Sequence, residues 1–195
     1  MTTSATAPLL TLAGWAALPE GEPGEFVNGR LEEEEVPTRL HEAAVAWLIF
    51  ELTGWARRHG ARVYGSDLKL RVAHDRGRKP DVSVYLAGTP RSGARETVQT
   101  HPPDVVVEVV SPGPGDAQRD RIIKPGEYAA AGIPNYWLLD PELRSFEVWE
   151  RGDDGRYIRS LSVTGGVAHP ALLPGLALDL DALWADLDAE LDPPG

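Results

Sequence analysis

The segment Asp104-Val105-Val106-Val107-Glu108-Val109-Val110 is a nearly continuous run of β-branched residues. Such a run is typical of a strand that is buried on both faces, usually at the centre of a parallel or mixed sheet. One carboxylate, Glu108, interrupts the run. Because an isolated ionised carboxylate is costly to bury, the fold must supply Glu108 with a positively charged partner or a bound cation.

A second predicted strand lies upstream in Pro80-Asp81-Val82-Ser83-Val84-Tyr85-Leu86, where apolar and polar residues alternate. If the two strands are neighbours, Asp81 and Glu108 can reach one pocket and hold a hard divalent cation through their oxygen atoms. Without the cation, two like charges so close together would repel each other. A second interpretation stays open, in which Glu108 forms a buried ion pair with an arginine such as Arg119 or Arg121.

Helices and further strands are predicted on both sides of these two segments. Thr38 to His59 has apolar residues at helical spacing, with Thr38 as the N-cap and Gly60 as the stop. The Asn28-Gly29 pair predicts a hairpin turn. The other predicted elements are strands at 61–64, 68–73, 136–140, 145–150 and 157–163, and helices at 116–131 and 179–191. This order predicts an α/β (α+β) fold with a sheet flanked by helices.

The division of the chain follows from the same pattern. Residues 1–24 are small, acidic and rich in Pro and Gly, and we expect them to form a loosely ordered N-terminal segment. Residues 25–195 are expected to form a single domain of ordinary size. No stretch approaches the ~18 apolar residues of a membrane-spanning helix. The N-terminus has no basic region ahead of an apolar core, so we expect no membrane association and a cytoplasmic location.

The composition excludes several kinds of site. The chain has no cysteine, which excludes disulfide scaffolds, thiolate zinc sites, iron–sulfur clusters and a cysteine nucleophile. Its five histidines lack the i, i+4 pairing of zinc proteases, and most are expected to be structural or exposed. Catalysis would therefore depend on carboxylates, His, Lys, Ser or a hard metal ion.

Charge is unevenly distributed along the chain. The formal net charge of −11 argues against a general nucleic-acid coat protein, because phosphate binding depends on Lys and Arg. Between Trp55 and Pro80, however, eight basic residues accompany two acidic ones. This segment is either a solvated face or a basic surface beside an acidic site. Its basic residues are Arg57, Arg58, Arg62, Lys69, Arg71, Arg76, Arg78 and Lys79.

Four segments occur in a characteristic order and together carry a family resemblance. They are Pro80-Asp81; Val107-Glu108-Val109-Val110-Ser111-Pro112; Asp120-Arg121 with Lys124 and Tyr128; and Ala130-Ala131-Gly132-Ile133-Pro134-Asn135-Tyr136-Trp137-Leu138-Leu139-Asp140-Pro141. In these segments the chain resembles the Uma-two family of bacterial restriction endonuclease-like proteins, a branch of the PD-(D/E)XK nuclease superfamily. The resemblance extends over most of the chain.

The resemblance implies a restriction-endonuclease-like mixed central β-sheet and an endonuclease that hydrolyses DNA with Mg²⁺ or Mn²⁺. Asp81 and Glu108 match the metal-binding carboxylates, with a backbone carbonyl near Val109 as a further ligand. The superfamily's lysine usually follows the second acid by two residues, where this chain has Val110. Lys124 fits the displaced lysine of the family, which would orient or deprotonate the attacking water and offset charge on the phosphate.

Two features make the predicted site less regular than the family pattern. Pro125-Gly126 follows Lys124, so either the helix begins late with Pro125 in its first turn or it kinks at the lysine. An early acidic residue often joins such sites. Glu42 is preferred as a catalytic residue because it lies in the first predicted helix beside His41, where the family also tends to carry a histidine. The other candidates are Glu32, Glu33, Glu34 and Glu35.

Substrate binding is assigned to basic residues near these motifs. The candidates are Arg76, Arg78, Lys79 and Arg121, and the loop 87–101 is expected to contribute specificity. Tyr128 is expected to pack in the core. A two-fold homodimer is expected because cutting both strands of DNA requires two sites. Two other functions stay open: a nuclease-like domain that binds nucleic acid or a protein without cleaving, and a structural protein with a Glu108–arginine pair.

Overall fold

The computed structural model describes residues 9–19, 24–32, 37–113, 115 and 118–191. A π-helical turn, Arg119–Ile123, directly precedes the third helix. The helices are α1 (Leu12–Ala16), α2 (Arg39–His59), α3 (Lys124–Ala130) and α4 (Leu180–Leu191). The strands are β1 (Glu25–Val27), β2 (Arg30–Glu32), β3 (Arg62–Tyr64), β4 (Lys69–Ala73), β5 (Arg76–Arg78), β6 (Val82–Tyr85), β7 (Val98–Gln99), β8 (Val105–Val109), β9 (Asn135–Asp140), β10 (Ser145–Arg151), β11 (Tyr157–Val163), β12 (Val167–Ala168) and β13 (Leu178–Asp179).

The central sheet has six strands in the order β11-β10-β9-β8-β6-β3. Strand β8 pairs antiparallel with β6 and parallel with β9, so the sheet is mixed. Every residue of β8 is buried, as its run of valines predicts. The predicted fold class, a mixed central sheet flanked by helices, is therefore confirmed. Among the described residues, no helix is both long and apolar enough to cross a membrane.

Successive residues of β8 face two different cores. Val105, Val107 and Val109 belong to the larger core, which includes residues of α2 and α4. Val106 belongs to a smaller core on the other face, together with Tyr128 of α3. Because side chains alternate along a strand, Glu108 lies on the same face as Val106. The position of Glu108 in the sequence thus directs its carboxylate toward α3.

The first long helix has the ends that its sequence predicts. The Thr38 side chain accepts a hydrogen bond from the His41 N–H at 3.2 Å, and Gly60 ends the helix with φ of 68°. This left-handed conformation favours glycine, because other residues meet a steric penalty there. Leu48 and Leu52 are fully buried in the larger core. The helix is thereby fixed on one face of the sheet, and its first turn lies beside Asp81.

A second, five-stranded sheet has the order β2-β1-β5-β4-β7. Its hairpin turn has positive φ at both Asn28 and Gly29, 50° and 77°, as the sequence pair predicts. Residues 76–78, for which no strand is predicted, form β5, which lies between β1 and β4. Within the predicted polar loop 87–101, Val98–Gln99 pairs with β4. The short strand that contains both Arg76 and Arg78 is thus internal to a sheet.

The α-helix that contains Lys124 begins at Lys124 itself, with Pro125 in its first turn, which is the first of the two interpretations of the sequence. The Lys124 N–H donates to the Arg119 carbonyl, five residues earlier, which is the hydrogen bond of a π-helix. Pro125 then lies in the first turn of α3, where its missing N–H removes no helical hydrogen bond. The wide turn before Pro125 also allows one helical segment to carry both Asp120 and Lys124 toward the sheet.

Residues 12–16, within the predicted loosely ordered segment, form α1. Trp15 is fully buried, and its indole N–H donates to the Gly24 carbonyl at 3.2 Å. Its ring stacks on Phe26 with centroids 6.3 Å apart. The ring also covers Gly77 so closely that a Cβ there would lie 2.3 Å from Trp15 Cζ3. Close packing of Trp15 on β5 therefore requires glycine at position 77.

We predict that Gly77→Ala lowers the free energy of unfolding by about 1–3 kcal/mol, because the added methyl group overpacks the Trp15 site. Gly54→Ala is the matched control: Gly54 lies inside α2, and nothing lies within 4 Å of a Cβ built there. It should raise the free energy of unfolding by about 0.5–1 kcal/mol through helix propensity. Urea denaturation of both variants measures the difference. Equal effects would show that Trp15 is not seated on β5.

Candidate active site

Asp81 and Glu108 converge at one end of the β6–β8 pair. Val82 is opposite Val107 in the antiparallel register. The next pair of facing residues in this register is therefore Asp81 and Glu108. The Val109 N–H donates to Asp81 Oδ2 at 2.7 Å. A cleft of about 210 Å³ opens above both residues. Its lining residues are Pro37, His41, Glu42, Ser66, Asp67, Lys79, Asp81, Glu108, Val109, Ser111, Arg119, Asp120 and Lys124.

The buried Glu108 carboxylate is held by two residues of α3. Lys124 Nζ lies 2.9 Å from Oε2, and the Tyr128 hydroxyl donates to Oε1 at 2.5 Å. Lys124 also lies 3.0 Å from Asp120 Oδ1. The cationic partner of Glu108 is therefore a lysine and not an arginine. Tyr128 packs in the smaller core as expected, and its hydroxyl also contacts the acid directly.

Negative charge exceeds positive charge around the lysine. Burial raises the pKa of Glu108 well above its ordinary value, and the nearby charges of Asp81 and Asp120 raise it further. Lys124 opposes this shift. For Lys124 itself, burial lowers the pKa, but Glu108 and the other carboxylates outweigh burial, so the pKa is raised well above its ordinary value. Lys124 is thus an ammonium ion held between the Glu108 and Asp120 carboxylates.

His41, at the start of α2, reaches the same site. Its Nε2 lies 3.3 Å from Asp81 Oδ2, and only 7% of the residue is exposed. Burial lowers the pKa of His41, but the hydrogen bond and charge of Asp81 outweigh burial and raise it. Glu42 lies at the exposed mouth of the cleft, with Oε1 3.6 Å from His41 Nδ1. In the sequence, His41 is noted only as the neighbour of Glu42 in the first predicted helix. Its contact with Asp81 is not predicted.

The other early acids have different positions. Glu33, Glu34 and Glu35 lie outside the described residues. Glu32 Oε2 lies 3.6 Å from Arg78 Nη1 in the second sheet, with half of the Glu32 side chain exposed. Of the candidates that the structure describes, only Glu42 lines the cleft.

Arg78 has a different role from the one that the sequence suggests. It is 1% exposed, and its guanidinium pairs with Glu25 and, through two hydrogen bonds, with Glu127 of α3. Glu25 in turn accepts a hydrogen bond from the Lys79 N–H at 2.9 Å. A side chain so enclosed cannot lie against a DNA backbone. The assignment of Arg78 to substrate binding is corrected to a structural role that joins the second sheet to α3.

Two of the remaining basic candidates are also engaged in ion pairs. Arg76 Nη1 donates to Glu127 Oε1 at 2.7 Å, and a quarter of its side chain is exposed. Arg121 pairs with Asp140 at 2.6 Å and with Glu147 at 3.2 Å, on β9 and β10. Of the four predicted substrate-binding residues, Lys79 is the one that lines the cleft. Arg119, which the sequence suggested as a partner of Glu108, lines the cleft as well.

The donor set suits a hard divalent cation. Within the described part of the chain, no group of three or more His, Cys, Asp or Glu side chains is arranged to hold a metal. Mg²⁺, however, is commonly bound through one or two carboxylates, with waters and substrate phosphates completing its octahedron. Asp81 and Glu108 supply two such carboxylates at an open cleft. Each carboxylate oxygen has two lone pairs, so the hydrogen bonds to Lys124 and Tyr128 leave coordination capacity on Glu108.

Comparisons with known proteins identify the family of the chain and a solved structure with a similar fold. The family model Uma2, described as "Putative restriction endonuclease", matches residues 11–181. Among solved structures, the chain is similar to the crystal structure of a putative nuclease belonging to DUF820 from Anabaena variabilis ATCC 29413. The TM-score is 0.72 at 22% identity, and the match covers 91% of this chain and 99% of that chain. This likeness shows the fold. No curated protein matches the chain.

We predict that Arg78→Met lowers the free energy of unfolding by about 3–5 kcal/mol, because it leaves the Glu25 and Glu127 carboxylates buried without their partner. Arg39→Met is the control, since Arg39 pairs with Glu190 at the surface, with 71% of the Arg39 side chain exposed. Loss of that pair should change the free energy by about 0–1 kcal/mol. Thermal and urea denaturation measure both. A small effect of Arg78→Met would contradict the structural role.

Proposed function

Because this chain belongs to the Uma2 family of putative restriction endonucleases, we propose that it is a metal-dependent endonuclease that hydrolyses phosphodiester bonds of DNA. The observation that carries the proposal is the pairing of buried Glu108 with Lys124 beside Asp81, under an open cleft. A carboxylate pair that binds a cation and an ammonium close to the phosphate are two components that metal-dependent phosphodiester hydrolysis uses.

Asp81 and Glu108 would hold Mg²⁺ or Mn²⁺, together with the backbone carbonyl of Val109. Such an ion, when bound, polarises a phosphoryl oxygen and lowers the pKa of a bound water. The Val109 N–H and His41 contact Asp81 Oδ2, so they hold the Asp81 carboxylate in a fixed orientation. Tyr128 does the same for Glu108. Both carboxylates are thereby preorganised, which lowers the cost of ordering them around a cation.

Lys124 would act through its charge. An amine must be neutral to accept a proton, whereas the pKa of Lys124 is raised because Glu108 and other carboxylates outweigh its burial. Of the two roles that the family implies, the geometry favours orienting the water and stabilising charge on the phosphate over deprotonating the water. Asp120 lies on the other side of the ammonium at 3.0 Å and acts as a positioning residue.

Substrate contacts would come from the rim of the cleft. Lys79 and Arg119 line it and can face a phosphate group, while Glu42 at its mouth would contribute a further carboxylate near the cation. Arg76 is a peripheral contact, because Glu127 already binds its guanidinium. A homodimer would allow cleavage of both strands of a duplex, since each subunit brings one site.

The rival function is a nuclease-like domain that binds nucleic acid or a protein without cleaving it. The net charge of −11 is its main support, and it favours a protein partner, since an acidic surface repels a polyanion. It would be favoured further if Lys124 turned away from the carboxylates. The distance of 2.9 Å between Lys124 and Glu108 instead favours catalysis.

We predict that the protein nicks or linearises supercoiled plasmid in Mg²⁺ or Mn²⁺ and not in excess EDTA. Asp81→Asn and Lys124→Met should each lower the rate by roughly 10²–10³-fold, the usual cost of removing one group that stabilises transition-state charge. Arg159→Met, an exposed substitution on outer strand β11, is the control and should cut like wild type. Melting temperatures are compared to exclude unfolding. Cleavage at equal rates by all four proteins would reject Asp81 and Lys124 as the catalytic centre.

A further inference from the structure

The catalytic cleft continues into a groove along β3, the edge strand of the central sheet. Ser66 and Asp67 line both the cleft and a neighbouring depression of about 490 Å³. Tyr64 and Leu68 line that depression and also a third of about 540 Å³. Because each depression shares residues with the next, the three lie side by side on the surface, and the two beyond the cleft are called the groove here. The far depression also contains Arg62, Thr89, Arg91, Ser92, Gly93, Ala94, Glu96 and Gln99.

Tyr64 stands in the middle of this groove with its ring in a fixed orientation. The residue is 36% exposed. Its ring meets Tyr85 edge to face, with centroids 5.8 Å apart and an interplanar angle of 81°. Tyr85 is itself fully buried and donates a hydrogen bond to the His101 carbonyl at 3.0 Å. A buried, anchored aromatic therefore supports an exposed one, which gives Tyr64 a preset face for stacking.

The charges of the groove do not make it a simple polyanion track. Arg62 and Arg91 are exposed in its far depression, but Glu96 lies there too and Asp67 lies nearer the cleft. Two positive side chains are thus balanced by two negative ones. A long run of phosphates would gain little net attraction from this balance. An unpaired base, by contrast, can stack on Tyr64 whatever the net charge, since every base presents a π-face.

We propose that this groove binds a single-stranded DNA segment that flanks the phosphodiester bond in the cleft. One unpaired base stacks on Tyr64, and the adjoining phosphates contact Arg62 and Arg91. The inference rests on the proposed nuclease function and makes it more specific: the preferred substrate has an unpaired flank, such as an overhang, a flap or a displaced strand. Blunt duplex DNA cannot present an unstacked base to Tyr64, so it gains no stacking energy from this site.

The test measures binding by fluorescence anisotropy in the Asp81→Asn background, in Mg²⁺. The probes are a labelled 12-nucleotide single strand and a blunt duplex of the same sequence. Tyr64→Ala should weaken binding of the single strand by roughly 5-fold to 150-fold, the range measured for loss of one base–aromatic stack. Tyr64→Phe keeps the ring and should bind within about 2-fold of the parent. Arg91→Glu should weaken binding and reduce its dependence on salt, because one phosphate contact is lost.

Phe50→Ala is the matched control. Phe50 is 75% exposed on α2 and lines a separate depression with Arg57 and Leu176, so its loss should leave both affinities unchanged. Tyr64→Ala that binds the single strand like the parent would overturn the inference. A Tyr64→Phe protein as weak as Tyr64→Ala, or equal losses on the single strand and the duplex, would also overturn it.

Plasmid cleavage separates this inference from the proposed function. If the wild-type protein cleaves plasmid and Tyr64→Ala binds the single strand like its parent, the proposed groove is rejected and the proposed nuclease function stands. If the wild-type protein does not cleave and Tyr64→Ala binds the single strand more weakly, the single-strand binding site stands and the proposed nuclease function is rejected. Melting temperatures within about 2–4 °C, the shift expected of ~1 kcal/mol in a domain of this size, confirm that all variants are folded.

Discussion

The ion pair between Glu108 and Lys124 is the interaction on which the rest of this structure depends. A strand that is buried on both faces has no water with which to solvate a carboxylate, so its partners must come from the protein. Lys124 and Tyr128 supply them from successive turns of α3. The π-helical turn before Pro125 brings the helix into position, and Asp120 in that turn holds the other side of the ammonium.

The second sheet supports the same helix from outside the site. Arg78 on β5 forms an ion pair with Glu127, which lies between Lys124 and Tyr128 in the sequence of α3. Glu25 completes the brace by pairing with Arg78 and accepting from the Lys79 N–H, two residues before Asp81. One buried network therefore connects the strand that leads to Asp81 with the helix that carries Lys124. The Arg78, Glu25 and Glu127 side chains of this network are buried and paired with one another, so they position the site and are unavailable to a ligand.

Local chemistry explains why part of this arrangement could be predicted from the sequence. The valine run around Glu108, the Thr38 cap and the Asn28-Gly29 turn each impose a conformation through interactions within a few residues. The convergence of Asp81 with Glu108 needed only the further assumption that two strands pair. The family resemblance then identified Lys124, which lies far from both acids in sequence.

The sequence could not predict which charged side chains are buried, because burial depends on how distant segments pack. Arg78 has the same local sequence character as the exposed arginines around it, and only the packing of β5 between β1 and β4 reveals its burial. The same holds for His41, whose contact with Asp81 joins the first turn of α2 to the end of β6. Short strands such as β5 and β7 carry too few residues to show an alternating pattern, so they were not predicted, and the predicted hairpin and β4 were not recognised as parts of a separate sheet.

The central claim is that the buried carboxylates form a cation site with spare negative charge, and Mn²⁺ titration of the melting temperature tests it most directly. At a hundredfold excess over Kd, a cation that binds only the folded state adds about 2.7 kcal/mol to the free energy of unfolding. This corresponds to roughly 2–4 °C per kcal/mol for a domain of this size. The account predicts that Mn²⁺ raises the melting temperature of wild type and does little for Glu108→Gln. A wild type indifferent to Mn²⁺ would contradict it and leave only a structural ion pair, whose loss in Glu108→Gln costs about 3–5 kcal/mol in either case.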